Sequence, residues 1–373
     1  MKILYVTTVG LTMGFFKSFI RELLDAGHIV DIATNEDEHK VADCYREWGC
    51  RIHQINTSRS SLNKKNLKVI KEIKKITQEN EYDIVHCHTP VAAFLTRIAC
   101  RSLRKQGTKV FYTAHGFHFY KVAPLLNLLV YYPVEKVCAQ LTDLLITINK
   151  EDYALAQKEF KKAGKISYVQ GVGIDVERFA RTDNTLEKAN DFRKKLNLPD
   201  EDFLIISIGE LNDNKNHQVV LNALSHLKNE HIHYAIAGIG DKHDHLIELA
   251  ESLGLKDRFH LLGYVNDIPS LCHGANLFCF PSIREGLPVS VMEAMAAGLP
   301  LIVADARGSR DCCVNGVNGI ICSPFSEEDF ASAIETIINS PSLREAFSQQ
   351  NIIDSKTYDI SIVNESMKQL YFG

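Results

Sequence analysis

The chain has 373 residues, of which 45% are hydrophobic and 24% are charged, and its formal net charge is −4. This length predicts two domains, and the composition is ordinary for a soluble globular protein. No apolar run approaches the roughly 20 residues that a membrane span requires, and Met1–Thr8 predicts a first strand rather than a signal peptide.

The ten cysteines are scattered, and none forms a Cys-x-x-Cys pair. This pattern favours reduced, mostly buried thiols in a cytoplasm over disulfides or a zinc site.

The net charge conceals two halves of opposite sign. Residues 1–185 hold 27 Lys/Arg and 20 Asp/Glu, a balance of +7, and the remainder holds 15 and 26, a balance of −11. The basic half could face an anionic membrane or a pyrophosphate-bearing acceptor. The alternative is a solvated helix face made of Lys64, Lys65, Lys68, Lys71, Lys74 and Lys75.

Short apolar strands alternate with amphipathic helices in the first half of the chain. The predicted strands are Ile3–Thr7, Ile29–Thr34, Asp83–Cys87, Lys109–Thr113 and Leu144–Ile148. The predicted helices between them are Phe15–Ala26, Lys65–Asn80 and Val91–Lys105. Near-continuous apolar strands separated by helices indicate a parallel sheet covered on both faces.

The alternation restarts after a polar segment that ends near Asp202. The later predicted strands are Leu204–Ile208, Tyr234–Ala237, Phe259–Leu262, Leu277–Phe280 and Leu301–Ala304. We therefore expect an α/β protein with two doubly wound, Rossmann-like domains, 1–185 and 186–354, and a ligand cleft between them at the carboxyl ends of both sheets.

Two carboxylates, Glu285 and Glu293, lie on either side of a predicted strand-to-helix turn. Gly286 permits a tight backbone there, Pro288 suits a first helical turn, and Gly298 suits the position just past the helix end. The free N–H groups of such a helix start bind anions such as phosphate. Carboxylates at this position can hold the hydroxyls of a sugar or a ribose.

Glycine-bearing loops elsewhere do not form a nucleotide fingerprint. The segment from Thr8 to Gly14 is not Gly-x-Gly-x-x-Gly, and a plain turn is an equal interpretation. Gly238-Ile239-Gly240 follows a strand, but position 243 is His, so the third glycine is missing. The chain has no P-loop motif.

Cations and histidines follow several predicted strands. Lys215, in the loop after Leu204–Ile208, could neutralise a departing diphosphate or be a solvated lysine. Arg307 and Arg310 suit an anion, or an ion pair with Asp311. His115 could bond a sugar hydroxyl or act as a base. With His86, His88 and His118 it could also be drawn as a zinc site, but no recognised ligand spacing supports one.

The segment from Pro124 to Val134 is rich in Leu and Tyr. We expect a buried helix there, with an interfacial patch that admits a lipid as the alternative.

Five ordered blocks give the chain a family resemblance over essentially its whole length. They are the Glu285-x7-Glu293 motif, the Lys215 loop, Tyr82–Pro90, Tyr112–Phe119 and Tyr131–Lys136. Together they resemble GT-B glycosyltransferase family 4, in its bacterial capsular and exopolysaccharide (EpsD-type) branch. The resemblance implies two facing domains, with residues 355–373 crossing back as a helix onto the first domain.

The resemblance also implies site roles for a set of residues. Glu285 would bind donor-sugar hydroxyls, Glu293 the ribose, and His115 the donor sugar at the reaction centre. Lys215 and the backbone of Gly286, Leu287, Pro288 and Val289 would hold the diphosphate, Tyr264 and Val265 would meet the base, and Gly14 and Gly209 would line the cleft.

One position departs from the family pattern. Where the family has an arginine directly after the Gly209-type glycine, this chain has Glu210, which we expect to point away from phosphate. The hypothesis is that Arg284, Arg307 or Arg310 supplies the missing charge.

The resemblance implies retaining, metal-independent sugar transfer from a nucleotide diphosphate sugar, with UDP favoured. The acceptor would be a glycan linked to undecaprenyl diphosphate at the inner face of the cell membrane, and no cofactor or nucleic acid would take part. The alternatives are a nucleotide-sugar epimerase of similar fold and a catalytically silent partner subunit.

Overall fold

The computed structural model describes residues 1–37, 39–58, 66–119 and 125–373. Lys64 and Lys65 of the basic helix face, and Pro124 of the Leu/Tyr-rich segment, lie outside the described residues.

Strands and helices alternate along the described residues, as the sequence predicts. The strands are β1 Lys2–Val6, β2 Ile29–Thr34, β3 Ile52–Gln54, β4 Ile84–His88, β5 Lys109–Ala114, β6 Leu144–Thr147, β7 Lys165–Tyr168, β8 Phe203–Ile208, β9 Ile232–Ala237, β10 Phe259–Gly263, β11 Leu277–Phe280, β12 Leu301–Ala304 and β13 Gly319–Cys322. The α-helices are α1 Lys17–Asp25, α2 Cys44–Glu47, α3 Asn66–Asn80, α4 Pro90–Ala99, α5 Leu125–Ala139, α6 Lys150–Glu159, α7 Asp183–Lys195, α8 Gln218–His226, α9 His243–Ser252, α10 Ile268–His273, α11 Val289–Ala296, α12 Arg307–Cys312, α13 Glu327–Asn339, α14 Pro341–Ser355 and α15 Ile360–Phe372.

The chain divides into two compact units. Unit 1 is Met1–Val172 with Asn364–Gly373, and unit 2 is Gly173–Val363. The division falls earlier than the expected boundary near residue 185 because the loop after β7 already packs with unit 2. Ile174 N–H donates to Tyr358 O at 2.9 Å, and a Cβ on Gly173 would lie 2.7 Å from the Cα of Ile360.

Unit 1 is built on a parallel sheet of order β3-β2-β1-β4-β5-β6-β7. The central strands are buried on both faces, which explains their near-continuous apolar sequences. On α3, Val69 and Ile73 face the core while Lys68, Lys71, Lys74 and Lys75 are exposed, so the described lysines form a solvated face. The strand order reverses between β1 and β4, where ligands bind in open α/β sheets.

Unit 2 repeats the arrangement with a parallel sheet of order β10-β9-β8-β11-β12-β13. Here the strand order reverses between β8 and β11. The Lys215 loop follows β8 and the Glu285 loop follows β11, so both lie at the switch point of this sheet.

The chain ends in helix α15, which begins at Ile360 and not at residue 355 as the resemblance implied. The last ten residues of the chain, most of them in α15, belong to unit 1, where Asn364 Nδ2 donates to Glu22 Oε1 at 2.6 Å and the Tyr371 ring packs edge-on against Phe19. Unit 1 is therefore completed by residues from both ends of the chain.

The expectation of a buried helix at residues 124–134 is wrong. The first two turns of α5 expose Leu125, Leu126, Leu128 and Leu129, each at 46–69% of its full area. The reason is that only the second half of α5, with Glu135, Cys138 and Ala139, reaches the core. Among the described residues, no helix combines the length and apolarity needed to cross a bilayer.

All ten cysteines are free thiols, and nine of them are buried. This agrees with the expectation of reduced, mostly buried thiols.

Candidate functional site

The loops after β8 and β9 pack so closely that the glycines of the loop after β9 have no room for a side chain. A Cβ on Gly238 would lie 1.8 Å from Gly209 O, and one on Gly240 would lie 2.3 Å from Leu211 O. Gly238 and Gly240 therefore serve backbone packing, which fits the rejection of a dinucleotide fingerprint. Glu210, directly after Gly209, is exposed to solvent.

Lys215 and Glu285 form an ion pair at the switch point of the second sheet. Lys215 Nζ lies 2.8 Å from Glu285 Oε1, and the two side chains are 19% and 14% exposed. The ammonium also lies 4.7 Å from the centre of the Phe280 ring, within range of a cation–π contact. The loop holds the lysine in place because Asn212 Oδ1 accepts a hydrogen bond from Lys215 N–H.

Three contacts fix the backbone of the Glu285 loop. Asn214 Nδ2 donates to Arg284 O at 3.0 Å, and Arg307 Nε donates to Glu285 O at 3.0 Å. Gly308 lies directly against the loop, since a Cβ there would be 2.2 Å from Gly286 O. The carboxylate of Glu285 is thus presented from a rigid turn.

Helix α11 begins at Val289, one residue later than predicted, and Pro288 occupies the N-cap position. No side chain among the described residues caps this start. Pro288 has no N–H, so the amide donors near the turn are those of Gly286, Leu287 and Val289. At the other end, Gly298 has φ +76°, as its predicted position past the helix end requires.

Glu293 lies in the second turn of α11 and has no side-chain hydrogen bond within the described part of the chain. Burial raises its pKa to about 7, an effect that Arg178 opposes. Near neutral pH this carboxyl group is therefore poised between its acid and its carboxylate form, with free capacity to bond a ligand's hydroxyls.

The three candidate arginines have different surroundings. Arg307 is engaged with the backbone of Glu285, and Arg310 forms an ion pair with Asp305. Arg284 is partly buried, and no carboxylate within residues 125–373 or the other described ranges lies at ion-pair distance from it. Arg284 is thus the candidate with the most freedom to meet an anion.

Tyr264 and Val265 follow β10 at the same edge of the sheet. Gly263 has φ +63°, and its O accepts a hydrogen bond from Gly238 N–H at 2.8 Å. The turn joins this segment to the Gly209 and Gly238 loops, and the Tyr264 side chain is 76% exposed. Contact of this backbone with a base stays a prediction.

In unit 1, His115 and His88 lie at the ends of neighbouring strands and share a hydrogen bond. His88 Nδ1 and His115 Nε2 are 3.2 Å apart. Burial lowers the pKa of His115 to about 4, so its imidazole is neutral at physiological pH. His86 lies on the same face as His88, as strand alternation predicts, and bonds Thr113 and Tyr371. His118 instead contacts the Tyr131 ring.

No group of three or more metal-binding side chains is arranged to hold an ion in the described ranges. Gly14 lies in the exposed part of a 3₁₀ segment, Gly10–Phe16, and a Cβ there would meet nothing within 4 Å. Near this segment is a cavity of about 270 Å³ whose lining residues include Thr8, Thr12, Thr89, His118 and Tyr131.

The sequence pointed to most of these residues but not to their partners. Asn214 and Tyr371 were missed, because a loop amide and a tyrosine near the chain's end carry no motif. Thr89 was missed as well, although its φ of +63° is rare for a β-branched residue.

Comparison with known proteins identifies the family. Residues 188–353 match the family of glycosyl transferases group 1, and residues 2–149 match the glycosyl transferase 4-like family. The putative glycosyltransferase EpsD of Bacillus subtilis is 38% identical over 319 residues, 85% of this chain and 83% of that protein. The UDP-Gal:alpha-D-GlcNAc-diphosphoundecaprenol alpha-1,3-galactosyltransferase of Escherichia coli is 30% identical over 72% of this chain and 71% of its own length.

The fold has a counterpart among solved structures. Anabaena HepE, crystallised with UDP-glucose, superposes with a TM-score of 0.79 at 20% identity and covers 100% of this chain and 99% of its own. The two doubly wound sheets are those of the GT-B fold. The chain therefore belongs to the group 1, family 4 glycosyltransferases, in the branch that includes the EpsD-type proteins.

Proposed function

We propose that the protein transfers a sugar from a UDP-sugar to a glycan carried on undecaprenyl diphosphate, with retention of anomeric configuration and without a metal ion. The observation that carries the proposal is the Lys215–Glu285 pair beside the uncapped start of α11. Cation, amide donors and carboxylates are the groups that a nucleotide diphosphate sugar needs.

The charges account for the chemistry. When the anomeric C–O bond breaks, negative charge develops on the leaving diphosphate and positive charge on the sugar. Lys215 and the amides at the start of α11 stabilise the diphosphate, and Arg284 adds the charge that Glu210 cannot. Glu285 holds the sugar hydroxyls, Glu293 holds the ribose hydroxyls, and neutral His115 contacts the sugar.

We propose same-face attack by the acceptor. The acceptor oxygen forms the new bond to the anomeric carbon, the bond to the diphosphate breaks, and a diphosphate oxygen takes the acceptor's proton. Its test is the anomeric configuration of the product by NMR, together with mass spectrometry of the protein during turnover. An inverted product, or a trapped covalent glycosyl-protein, contradicts this mechanism.

The choice of donor and acceptor has support from the relatives. HepE was crystallised with UDP-glucose, and the E. coli relative is named for a UDP-Gal donor and a GlcNAc-diphosphoundecaprenol acceptor. The Staphylococcus aureus relative CapM is named for capsular polysaccharide biosynthesis, which supports a surface polysaccharide such as a capsule or an exopolysaccharide as the proposed product.

Two features of unit 1 support our proposal that the protein contacts the inner face of the cell membrane. Unit 1 carries 26 Lys/Arg and 18 Asp/Glu, a balance of +8, and α5 exposes four leucines in its first two turns. Basic charge and exposed leucines are the two signals that bind a protein to an anionic bilayer. Here a lipid-linked acceptor would be within reach of the enzyme.

The deciding experiment is a transfer assay with UDP-sugars and GDP-sugars on a synthetic GlcNAc-diphospho-lipid. We expect UDP release to require the acceptor and to be lost in Glu285→Ala. Nucleotide or free-sugar release without acceptor would favour an epimerase. Binding without turnover for every acceptor, unchanged in Glu285→Ala, would favour a silent subunit.

A further inference from the structure

His88 is held rigidly in the middle of a column of three histidines in unit 1. Its ring centre lies 4.1 Å from that of His86 and 5.4 Å from that of His115. The Phe16 ring, at 4.1 Å, and the Tyr5 ring, at 5.4 Å and nearly parallel, also pack against it. This packing restricts rotation of the His88 ring and so holds its Nδ1 at hydrogen-bond distance from His115.

Both imidazoles in that bond are neutral. Burial lowers the pKa of His88 well below its ordinary value and that of His115 to about 4. A neutral imidazole has one N–H donor and one bare acceptor nitrogen. One proton therefore lies between His88 Nδ1 and His115 Nε2, and either ring could carry it.

The second nitrogen of His88 decides between the two arrangements. His88 Nε2 is buried and has no hydrogen-bond partner among the described residues. A proton on Nε2 would make it an unpaired buried N–H donor, which is rarer in folded proteins than an unpaired acceptor. The favoured arrangement leaves Nε2 bare and puts the proton of His88 on Nδ1.

We propose that His88 is a positioning residue that fixes His115 as the Nδ1–H tautomer, because His88 Nδ1–H donates to His115 Nε2. His115 then offers its ligand an N–H donor from Nδ1. The inference rests on the proposed function, in which His115 contacts the donor sugar, and deepens it. The ligand atom must be an oxygen with a free lone pair, such as a sugar hydroxyl or a phosphoryl oxygen, and His115 does not act as the base.

The direct test is long-range ¹H–¹⁵N correlation of the full-length protein with ¹⁵N-labelled histidine, with His115→Gln to assign the signal. We expect a protonated Nδ1 and a bare Nε2 for His115. A His115 ring protonated on Nε2, or on both nitrogens at neutral pH, overturns the inference.

Two substitutions separate positioning from packing. His88→Asn puts an amide N–H near the place of Nδ1 and should preserve the His115 signals. His88→Phe keeps a ring but removes the donor and should convert His115 partly or fully to Nε2–H, with kcat/KM lowered about tenfold or more. If His88→Phe does not fold, the wild-type and His88→Asn spectra still decide. Unchanged His115 signals in a folded His88→Phe protein contradict the inference.

His86→Phe is the matched control. His86 is as buried as His88 and projects from the same strand face, but it bonds Thr113 and Tyr371 rather than His115. The His86→Phe substitution should lower the stability of the protein without changing the His115 tautomer. The tautomer and the proposed function can fail separately. Normal turnover in His115→Ala would contradict the proposed contact between His115 and the sugar. The spectra test the Nδ1–H assignment independently of turnover.

Discussion

Lys215 Nζ and Glu285 Oε1 lie 2.8 Å apart, although 70 positions separate the two residues in the chain. The pair joins the cation proposed for the diphosphate to the carboxylate proposed for the donor sugar. Without ligand, the two groups neutralise each other. A diphosphate entering the site must compete with Glu285 for the ammonium, so the pair holds Lys215 in position for its ligand.

Removing the charge of Glu285 should separate binding from turnover. In Glu285→Gln, Lys215 no longer has an anionic partner, so we expect UDP to bind as tightly as in the wild type or up to about tenfold more tightly. Transfer should fall about 100-fold, since the sugar loses a charged hydrogen-bond partner. Calorimetry with UDP and initial transfer rates measure the two effects, and Lys215→Met, which should weaken UDP binding, is the matched comparison. Equal losses of UDP affinity in both variants would contradict this division of roles.

Glu293 should make the protein less stable as pH rises. Its pKa in the folded protein, about 7, is above the ordinary value of 4.5. The folded state therefore holds the Glu293 proton more tightly than the unfolded state does. The contribution of this group to stability falls as pH rises from about 4.5 to 7 and does not change further above pH 7. Glu293→Gln removes this dependence. We expect it to melt at the wild-type temperature near pH 4.5 but to be more stable above pH 7, by roughly 1–3 kcal/mol for a partly solvated group.

The same substitution should impair the donor site. A carboxylate accepts hydrogen bonds from ribose hydroxyls more strongly than an amide does, so UDP-sugar affinity should fall in Glu293→Gln. In the wild type, affinity for the UDP-sugar should rise with pH up to about 7. Thermal melts at several pH values, with and without UDP-sugar, measure both effects. Stability that is independent of pH in this window would show that Glu293 is not desolvated in the folded protein.

Arg284 should matter most among the three candidate arginines. We expect Arg284→Gln to raise the donor KM or lower kcat at least tenfold, because it removes the charge that Glu210 cannot provide. Arg310→Gln breaks the ion pair with Asp305 and should have a small effect on the kinetics. Arg307→Gln should lower stability as well as activity, since it releases the backbone of Glu285. Three variants with wild-type kinetics would end the hypothesis that an arginine compensates for Glu210.

The exposed leucines of α5 should control binding to membranes. Leu126→Asp and Leu129→Asp should each reduce co-sedimentation with anionic vesicles several-fold. Each substitution removes a leucine side chain that would be buried in the bilayer and adds a negative charge that anionic lipids repel. Ile353→Asp is the control, because Ile353 is exposed to a similar degree, 58%, but lies in unit 2. All three proteins should melt close to the wild type. An equal loss of vesicle binding in the Ile353→Asp control would indicate general charge repulsion instead of a contact made by α5.

The fold was largely predictable because its central strands are buried on both faces. In β1, β4, β8 and β11 most residues are apolar and the runs are short, which is typical of strands in a covered parallel sheet. The edge strands β3 and β13 were missed, since β3 has three residues and only half of β13 is buried. The Leu, Val and Tyr residues in the first two turns of α5 lie on all sides of the helix, so the sequence did not show that these turns lie outside the core.

The site was predictable as motifs but not as contacts. Glu285, Glu293 and His115 follow strand ends in recognisable blocks, whereas the Lys215–Glu285 pair depends on which strands are neighbours in the sheet. From the sequence, His86, His88, His115 and His118 could be drawn as a zinc site without a recognised ligand spacing. The packing of His88 against Tyr5 and Phe16, and the proton that it shares with His115, require coordinates.

The assignment of residues 364–373 to unit 1 has a consequence for how the protein is made. The ribosome synthesises the first 172 residues of this unit and then the 191 residues from 173 to 363 before Tyr371 emerges to bond His86. At 5–20 residues per second this interval is roughly 10–40 s. During that time Phe19 of α1 and Phe111 of β5 lack the packing of the Tyr371 ring, and transiently exposed apolar surface of this kind makes a nascent chain prone to aggregate.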